Sequence, residues 1–390
     1  MNQVRWGIIG CGDVVRKRVA RAIIDEPRSE LVAACRRNQA ELRDFCKSFS
    51  VDRAFANADE LIADPDIDAV YIATPVRDHM PQSVTAAAAG KHVICEKPLA
   101  MNLPDADEMI ETMRRSGLKL GVYHEMNFYP ENLLMRELFE DEGAGTTRFA
   151  WLGAYALGKW VMTPWRAKAA HSGGGVVMDE GVHLAHLAKL YFGADPVRVS
   201  ASIDRLGEAE SGDVEDVGSL IFEFPTGLAQ AMASYMPAIG RDHSMRTYSQ
   251  GIITDRLSME LIFGAAAESV ASPVEKILVT SSSGVKEHTM PPYQDALDKN
   301  VDAFRRLYID FIDSVKNDRA PAVDGQMARD AQEMIMAAFE SAATGRAVPI
   351  PMDTASPVYR EGVAGIKRLA SRIPADSLLR KKRLYGLGPV

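Results

Sequence analysis

The stretch VRWGIIGCGDVV, residues 4–15, decides the fold of the first part of the chain. Its apolar start predicts a buried strand, and Gly10 and Gly12 follow immediately before a helix candidate. Glycines at such a turn let a pyrophosphate approach the backbone and sit on the helix N-terminus. Val15 takes the third glycine position of the fingerprint, so an ordinary strand–helix turn is the alternative. The predicted cofactor contacts in this loop are Gly10, Cys11, Gly12, Asp13 and Val14.

Apolar strands and amphipathic helices continue to alternate after this loop, through ELVAACR, AVYIATP, KHVICEKP and LKLGVYH. Continuous apolar strands separated by helices predict a parallel sheet covered on both faces. Near residue 124 the pattern changes to alternating stretches such as GSLIFEF and GLAQAMASYM, which are typical of an antiparallel sheet. With 390 residues the chain suits two domains. We therefore predict a dinucleotide-binding domain over 1–124 and a second α/β domain over 125–390.

Composition narrows the class of protein. Hydrophobic residues make up 47% and charged residues 25%, with a net charge of −8, which argues against a general nucleic-acid or membrane-surface binder. No apolar run reaches the ~20 residues of a membrane span. The cysteines lack C-x-x-C spacing, which predicts buried free thiols. The start MNQVRWGIIG does not resemble a signal peptide, so we expect a cytoplasmic protein.

The second predicted strand ends AACRRN, and this end indicates which dinucleotide binds. NAD enzymes commonly place an acidic residue there to hold the ribose hydroxyls. Here Arg36 takes that position and Arg37 follows, and guanidinium groups favour a 2′-phosphate. The pattern therefore favours NADP(H) over NAD, with a solvated basic pair at a strand end as the alternative.

The stretch VICEKPLAM, residues 93–101, places Glu96, Lys97 and Pro98 at the end of a buried strand. Strand ends at the carboxyl edge of a parallel sheet point into the ligand crevice. An ammonium there can polarise or protonate an alcohol oxygen during hydride transfer. Pro98 restricts Lys97 to extended backbone and can form a cis bond. We expect Glu96 to hold Lys97 through an ion pair; the alternative is a routine surface Glu–Lys pair.

A glycine run precedes a third motif in HSGGGVVMDEGVHLAHL. Asp179 and His183 are spaced i, i+4, which predicts that they share a helix face. A carboxylate can fix the tautomer of an imidazole that passes a proton to a substrate hydroxyl. His186 makes a metal site conceivable, but no fourth ligand is evident and hydride transfer needs none, so no metal is predicted.

The segments GIIGCG, ATPVRDH, GKHVICEKP and GGGVVMDEGVH resemble, in order and spacing, the glucose–fructose oxidoreductase/inositol dehydrogenase/MocA family from residue 4 to about 350. The resemblance implies an N-terminal Rossmann domain and a C-terminal α/β domain with an open, mostly antiparallel sheet. It also implies an oxidoreductase acting on a carbinol carbon of a sugar or polyol. By this resemblance Lys97 is the catalytic lysine, and Asp179 and His183 match the D-x-G-x-H pair.

The same resemblance assigns further site residues. The predicted residues along the cofactor are Thr74, Pro75, His79, Glu96 and Lys97. Those predicted near the substrate are Trp165 and Arg166, together with Lys97, Asp179 and His183. His124 and Tyr155 are candidates for stacking and hydroxyl contacts. Val76, Met126 and Asn127 depart from the family pattern, and the missing arginines favour a neutral, ring-form sugar or polyol substrate.

Two other functions stay open: a reductase of non-sugar carbonyls or dihydrodiols, and a non-catalytic dinucleotide sensor. The open sheet further predicts a homodimer or homotetramer, because a monomer seldom exposes a large apolar patch. The residues predicted for this face are Leu220, Phe222, Met232 and Tyr235.

Overall fold

The structure is a computed structural model, and it describes residues 3–157, 165–205, 212–235, 245–263, 274–290 and 296–370. The chain forms two compact units. The first comprises Met1–Ala100, Asp105–Tyr129 and Leu297–Arg329; the second comprises the remaining segments. The first unit thus extends five residues beyond the predicted boundary at 124 (129 against 124) and also includes a segment from late in the chain.

A parallel sheet forms the centre of the first unit. Its strands are β1 (Val4–Ile9), β2 (Ser29–Cys35), β3 (Arg53–Phe55), β4 (Ala69–Ile72), β5 (His92–Cys95) and β6 (Leu120–Val122). Every neighbouring pair is parallel, in the order β3-β2-β1-β4-β5-β6. This is the strand order of a Rossmann fold, with the switch point between β1 and β4. The predicted fold of this unit is confirmed.

Helices follow most strands of the first unit and cover one face of the sheet in the second. They are α1 (Ala20–Ile24), α2 (Gln39–Phe49), α3 (Ala58–Ile62), α4 (His79–Ala88), α5 (Leu103–Arg115), α6 (Pro130–Asp141), α7 (Ala169–Ser172), α8 (Val176–Asp179), α9 (Gly181–Phe192), α10 (Ala296–Lys316), α11 (Gly325–Thr344), α12 (Pro357–Glu361) and α13 (Ile366–Ala370). A π-helical turn, Val15–Val19, leads into α1.

Aromatic packing explains why α10 belongs to the first unit. Trp6 of β1 is fully buried, and its ring lies 5.1 Å from the ring of Tyr308 and 5.7 Å from that of Phe311, measured between centroids. Both partners lie on α10. Large aromatic side chains contribute much of a core's buried apolar area, so this contact fixes a helix that is distant in sequence.

The second unit contains a nine-stranded sheet in the order β14-β13-β12-β11-β7-β10-β9-β8-β15. Its strands are β7 (Thr147–Leu157), β8 (Arg198–Asp204), β9 (Val217–Phe224), β10 (Gly227–Ser234), β11 (Met245–Thr254), β12 (Leu257–Phe263), β13 (Val274–Ser281), β14 (Gly284–Thr289) and β15 (Val348–Pro349). Only the β7–β10 pair is parallel among these described strands. The predicted mostly antiparallel sheet is confirmed.

The two faces of this sheet differ. Helix α9 packs on one face, where Leu220 and Phe222 are fully buried and Tyr235 is 6% exposed. The predicted placement of these three residues on the open face is therefore wrong. Residues alternate between faces along a strand, and both faces of these strands carry apolar side chains, so the pattern alone did not assign the face. Among the described residues, the exposed large apolar side chains on the strands of this sheet are Ile221, Leu228, Met232, Ile253 and Val285, of which only Met232 was predicted.

Among the described residues, none of the helices is both long enough and apolar enough to cross a membrane.

Candidate functional site

The glycine loop lies at the switch point of the parallel sheet. Gly10 follows β1 with φ of +97°, and a Cβ there would lie 2.4 Å from the carbonyl oxygen of Ala73, just after β4. The Gly10 N–H donates to the carbonyl of Cys35 at 2.9 Å, which ties the loop to the end of β2. A Cβ on Gly12 would meet no atom within 4 Å. The loop therefore requires glycine at residue 10 and leaves open space at residue 12, as a pyrophosphate-binding turn needs.

The other predicted loop residues differ in exposure. Cys11 is fully buried, its Sγ lies 3.6 Å from the Cys35 carbonyl, and burial raises its pKa to about 12. The thiol therefore stays protonated, and Cys11 can offer a ligand only its backbone. Asp13 is exposed and pairs with Lys17 at 2.9 Å, and Val14 is half-buried.

The Glu41 carboxylate, which was not predicted from the sequence, lies at the predicted 2′-phosphate site. Arg36 donates to the carbonyl of Cys11 and forms an ion pair with Glu41, whereas Arg37 is exposed. Asn38 caps α2, accepting from the N–H of Glu41 at 3.3 Å and donating to its Oε1 at 2.7 Å. Arg36 thus lies beside the glycine loop, where a 2′-phosphate would compete with Glu41 for the guanidinium. The capping pattern N-x-x-E was a sequence signal that could have located Glu41.

Lys97 and Glu96 follow β5, and the Lys97–Pro98 peptide bond is cis. Glu96 Oε1 accepts a hydrogen bond from the Tyr71 hydroxyl at 2.7 Å. Burial raises the pKa of Glu96 to about 7, although the Tyr71 hydrogen bond and the Lys97 charge oppose that shift. The hydrogen bond ties Glu96 to β4, and the charge of Lys97 acts on the same carboxyl group.

His79, at the start of α4, contacts the protein with both ring nitrogens. Nδ1 lies 3.0 Å from the carbonyl oxygen of Pro98, and Nε2 lies 3.0 Å from that of Thr74. The side chain is 1% exposed. The ring bridges the chain ends after β4 and β5, and the predicted cofactor contact of His79 stays a prediction. A buried imidazole with two backbone partners fixes the spacing of those ends.

Three more predicted residues lie after strands of the same sheet. Thr74 donates through Oγ1 to Gln82 at 2.8 Å, and Pro75 begins the turn into α4. His124 is 1% exposed and lies after β6. All three therefore lie beyond the carboxyl ends of parallel strands, where open α/β sheets bind ligands.

In the second unit, a break separates Asp179 from His183. Asp179 ends α8 and His183 lies in α9, with Glu180 between the two helices. The prediction of one shared helix face assumed a continuous helix. The glycine run begins with Gly173 at φ of +77° and Gly174 at φ of +152°, which shows how sharply the chain turns before α8.

Asp179 has two partners that the sequence did not pair with it. The Tyr235 hydroxyl donates to Asp179 Oδ2, and Arg166 Nε lies 3.6 Å from the same oxygen. The Arg166 guanidinium lies 4.7 Å from the centre of the Trp165 ring. The structure therefore brings together Trp165, Arg166, Asp179 and Tyr235. Tyr235 was missed because no local pattern links it to residues more than fifty positions earlier.

His183 and His186 are each 2% exposed. Burial, with the charge of Lys189, lowers the pKa of His186 to about 4, so His186 is neutral near neutral pH. Within the part of the chain that the structure describes, no group of three or more His, Cys, Asp or Glu side chains has the arrangement of a metal site.

Tyr155 lies apart from these residues. Its register partners on β10 and β11 are Ser234 and Thr247, and its ring lies over Gly153, whose added Cβ would meet the Tyr155 hydroxyl at 2.6 Å. The alternate residue Ala154 is buried on the α9 side. Tyr155 therefore lies on the open face, and within this unit the sheet separates it from α9. The substrate contact predicted for Tyr155 would therefore lie on the open face, and it stays a prediction.

Comparison with known proteins gives the class. Residues 4–124 match the family profile described as "Oxidoreductase family, NAD-binding Rossmann fold", and residues 133–250 match the "GFO/IDH/MocA C-terminal domain". Together they cover more than half of the chain. The chain therefore belongs to the Gfo/Idh/MocA oxidoreductase family, as the motifs predicted.

Two curated relatives are similar over about half of this chain. A 1,5-anhydro-D-fructose reductase from Ensifer adhaerens is 32% identical over 54% of this chain and 63% of its own length. A trans-1,2-dihydrobenzene-1,2-diol dehydrogenase from Danio rerio is 33% identical over 51% of this chain and 59% of its own length. The matched region thus spans about three-fifths of the length of these relatives.

Solved structures share the fold over most of the chain. An oxidoreductase from Agrobacterium radiobacter in complex with NAD+, L-tartaric acid and magnesium has a TM-score of 0.78 at 21% identity, covering 90% of this chain and 99% of its own. An aldose-aldose oxidoreductase from Caulobacter crescentus complexed with glycerol has a TM-score of 0.73 at 22% identity, covering 89% and 100%.

Proposed function

We propose that this protein is an NADP(H)-dependent oxidoreductase that transfers hydride between the nicotinamide and a carbinol or carbonyl carbon of a neutral sugar or polyol. One observation carries the proposal: the glycine loop and Lys97 lie at the same carboxyl edge of one parallel sheet. That edge is where a dinucleotide binds in this fold, so a titratable amine there can act on an alcohol oxygen.

The residues present fit a dinucleotide. Gly12 leaves open space for a pyrophosphate, Gly10 lets the loop pass close to the Ala73 carbonyl, and Thr74 and Pro75 follow at the end of β4. When bound, the nicotinamide ring accepts or donates the hydride. In our proposal Lys97 moves the hydroxyl proton, accepting it during oxidation and returning it during reduction.

His183 is the second acid–base group of the proposal, and Asp179 supports it. The Tyr235 hydroxyl and Arg166 both approach Asp179 Oδ2, and these contacts hold the carboxyl group in place. A negative charge there would favour the charged form of a nearby imidazole. Trp165, stacked with Arg166, offers an apolar face for a sugar ring.

Cofactor choice rests on Arg36 and Arg37. Arg36 lies against the Cys11 carbonyl, so its guanidinium is already beside the loop. Five N–H donors on a guanidinium allow a phosphate contact beside the contact it already makes. Glu41 works against this contact, so we expect a preference for NADP(H) rather than an absolute requirement.

Both the residues and the relatives favour a neutral, sugar-derived substrate. The absence of arginine at Met126 and Asn127 favours an uncharged substrate. The relative named as a 1,5-anhydro-D-fructose reductase supports a sugar-derived carbonyl. The second candidate is a dehydrogenase of a dihydrodiol or other non-sugar alcohol, supported by the Danio rerio relative named for that reaction.

The open face of the nine-stranded sheet supports a homodimer or homotetramer. Ile221, Leu228, Met232 and Ile253 are each about 40% exposed on it. Pairing two such faces about a two-fold axis would bury these side chains at the ~10 Å spacing of packed sheets. Light scattering at micromolar concentration should give at least twice the 42.7 kDa of one chain, and a stable mass of one chain on dilution would contradict the pairing.

The four free cysteines support a cytoplasmic location. Three of these thiols are buried and the fourth is partly buried. Reduced thiols of this kind are usual in a reducing compartment.

A substrate panel tests the proposed reaction. Neutral sugars, polyols, keto-sugars and dihydrodiols would be offered with NADP+ or NADPH, and the nicotinamide absorbance followed. We expect turnover with at least one neutral sugar or polyol pair and faster turnover with NADP(H) than with NAD(H) at equal concentration. Turnover only with dihydrodiols would select the second candidate, and no turnover with any member would contradict both.

A further inference from the structure

Glu215, just before β9, is a buried carboxylate for which no motif predicted a role. It is 1% exposed. Its Oε2 accepts a hydrogen bond from the Gly175 N–H at 2.8 Å, and its Oε1 accepts one from the Val177 N–H at 3.0 Å. Its own carbonyl oxygen accepts from the Val176 N–H at 3.2 Å. One residue therefore holds three consecutive backbone amides of the segment that leads to Asp179.

Asp216, the residue after Glu215, contacts Tyr235. The Asp216 carbonyl oxygen accepts a hydrogen bond from the Tyr235 N–H at 2.7 Å. The Tyr235 hydroxyl then donates to Asp179, and the Asp179 N–H donates to the Gly175 carbonyl at 2.9 Å. Together with the covalent bonds of the residues themselves, these hydrogen bonds form a closed ring. It runs from Glu215 through Gly175 to Asp179, then through Tyr235 and Asp216 back to Glu215.

Close packing leaves this ring little freedom. A Cβ on Gly175 would lie 1.9 Å from the Glu215 carbonyl oxygen, and a Cβ on Gly218 would lie 2.3 Å from Val177 Cγ2. The glycine run can approach β9 this closely only without side chains. Buried backbone amides need acceptors, so loss of the carboxylate would leave two N–H groups without their partner.

We propose that Glu215 is a positioning residue, which sets the place of the Asp179 carboxylate relative to Tyr235 through this ring. The inference rests on the proposed function, in which Asp179 supports His183. A displacement of about 1 Å at a reacting group can cost roughly a hundred-fold in rate. Glu215 acts on the reaction only through the backbone of residues 175–177.

Burial raises the pKa of Glu215 to about 7, while the backbone hydrogen bonds favour its charged form. These amides therefore stabilise the charged form of the carboxylate, and the carboxylate in turn supplies their hydrogen-bond acceptors.

The test compares Glu215→Gln with Tyr235→Phe, which open the ring at different points. Glutamine keeps the volume of Glu215 but offers one acceptor oxygen, so one amide loses its partner. Phenylalanine removes only the hydroxyl. We expect each variant to lower kcat by roughly ten- to a hundred-fold. Binding of NADPH should change by less than about two-fold, since the glycine loop and Arg36 belong to the other unit. Glu223→Gln, on β9 and paired with Arg198 at 2.7 Å, is the matched control and should keep the parent kcat.

The double variant and a substrate-free readout separate positioning from loss of structure. Because both changes open one ring, the double variant should be no slower than the slower single variant by more than about two-fold. Hydrogen exchange of the peptide covering 173–180 should be faster in Glu215→Gln, and this readout needs no substrate. Unchanged exchange, or parent kcat in both single variants, would overturn the inference. If Glu215→Gln fails to fold, Tyr235→Phe decides alone. An inactive parent protein with faster exchange in Glu215→Gln would contradict the proposed reaction but not the ring.

Discussion

The two units of this protein hold their candidate site residues in different ways. In the first, the residues lie at strand ends, and hydrogen bonds between neighbouring strands fix them: Gly10 to Cys35, and His79 to Thr74 and Pro98. In the second, Asp179 depends on side chains from distant segments, Tyr235 and Arg166. The first arrangement is a property of the parallel sheet, whereas the second is a property of particular side chains. Changes in the glycine loop should therefore affect cofactor binding, whereas changes around Asp179 should affect turnover.

The largest expected effect is on chemistry. Lys97→Ala or His183→Ala should lower turnover by roughly 10²–10⁴-fold, because each removes a proposed acid–base group. NADPH binding should survive in both, since neither residue belongs to the glycine loop. Turnover is measured by the initial rate and binding by fluorescence titration.

Lys47→Ala, an exposed lysine on α2, is the control for loss of a positive charge and should behave as the parent. Near-normal turnover in both Lys97→Ala and His183→Ala would mean that the catalytic residues are misassigned.

A pair of glycine variants probes the first unit alone. Gly10→Ala should destabilise the fold by at least about 1–2 kcal/mol, because its φ is left-handed and its Cβ would meet the Ala73 carbonyl. Gly12→Ala has open space and should keep the thermal midpoint of the parent, yet weaken cofactor binding by roughly ten-fold or more where the pyrophosphate approaches. Thermal unfolding measures the effect on stability, and NADPH titration measures the effect on cofactor binding. Tight NADPH binding by Gly12→Ala would show that the loop does not hold the pyrophosphate.

Substitutions of Arg36 and of Glu41, which form one ion pair, should change the preference for NADP(H) in opposite directions. Arg36→Asp should lower the preference for NADP(H) by roughly ten-fold or more, because a charge-assisted contact is worth roughly 1.5–3 kcal/mol. Glu41→Gln should raise it by about two- to five-fold, since a half-exposed ion pair contributes at most about 1 kcal/mol. The ratio of NADPH to NADH dissociation constants is the measurement.

Asp44→Asn is the control for Glu41→Gln, because Asp44 is a nearby exposed carboxylate that pairs with Arg16 at 2.9 Å. An equal rise in both variants would indicate a general charge effect, and a parent that binds both cofactors equally would contradict the role of Arg36.

The smallest expected effect concerns pH and stability. Burial raises the pKa of Glu215 from 4.5 in an exposed carboxyl to about 7. The folded state then binds more protons than the unfolded state between these values, so stability from this group is full below about pH 4.5 and falls as pH rises towards about 7. The drop in thermal midpoint from about pH 5 to about pH 8 should be smaller in Glu215→Gln than in the parent. An equal drop would show that Glu215 does not titrate in this range.

The contrast between the units also explains what the sequence could predict. Gly10, Lys97 and the Rossmann strand order follow from local alternation and from motifs at strand ends, and the family assignment made from them is confirmed. Tyr235, Glu215 and Glu41 were not recognised as parts of the site. The first two act across separations that no local pattern encodes, and Tyr235 was placed on the wrong face because both sheet faces carry apolar residues. His79 was recognised as a site residue, but only the structure shows that its ring bridges two backbone carbonyls.

The central claim is direct hydride transfer between the nicotinamide and a carbon of a neutral sugar or polyol. NADPH deuterated at the transferring position of the nicotinamide, incubated with a keto-sugar that the protein reduces, tests it most directly. The account predicts one deuterium on the new carbinol carbon of the product, located by NMR, and loss of this product in Lys97→Ala. A reduced product with no deuterium at that carbon would contradict the account.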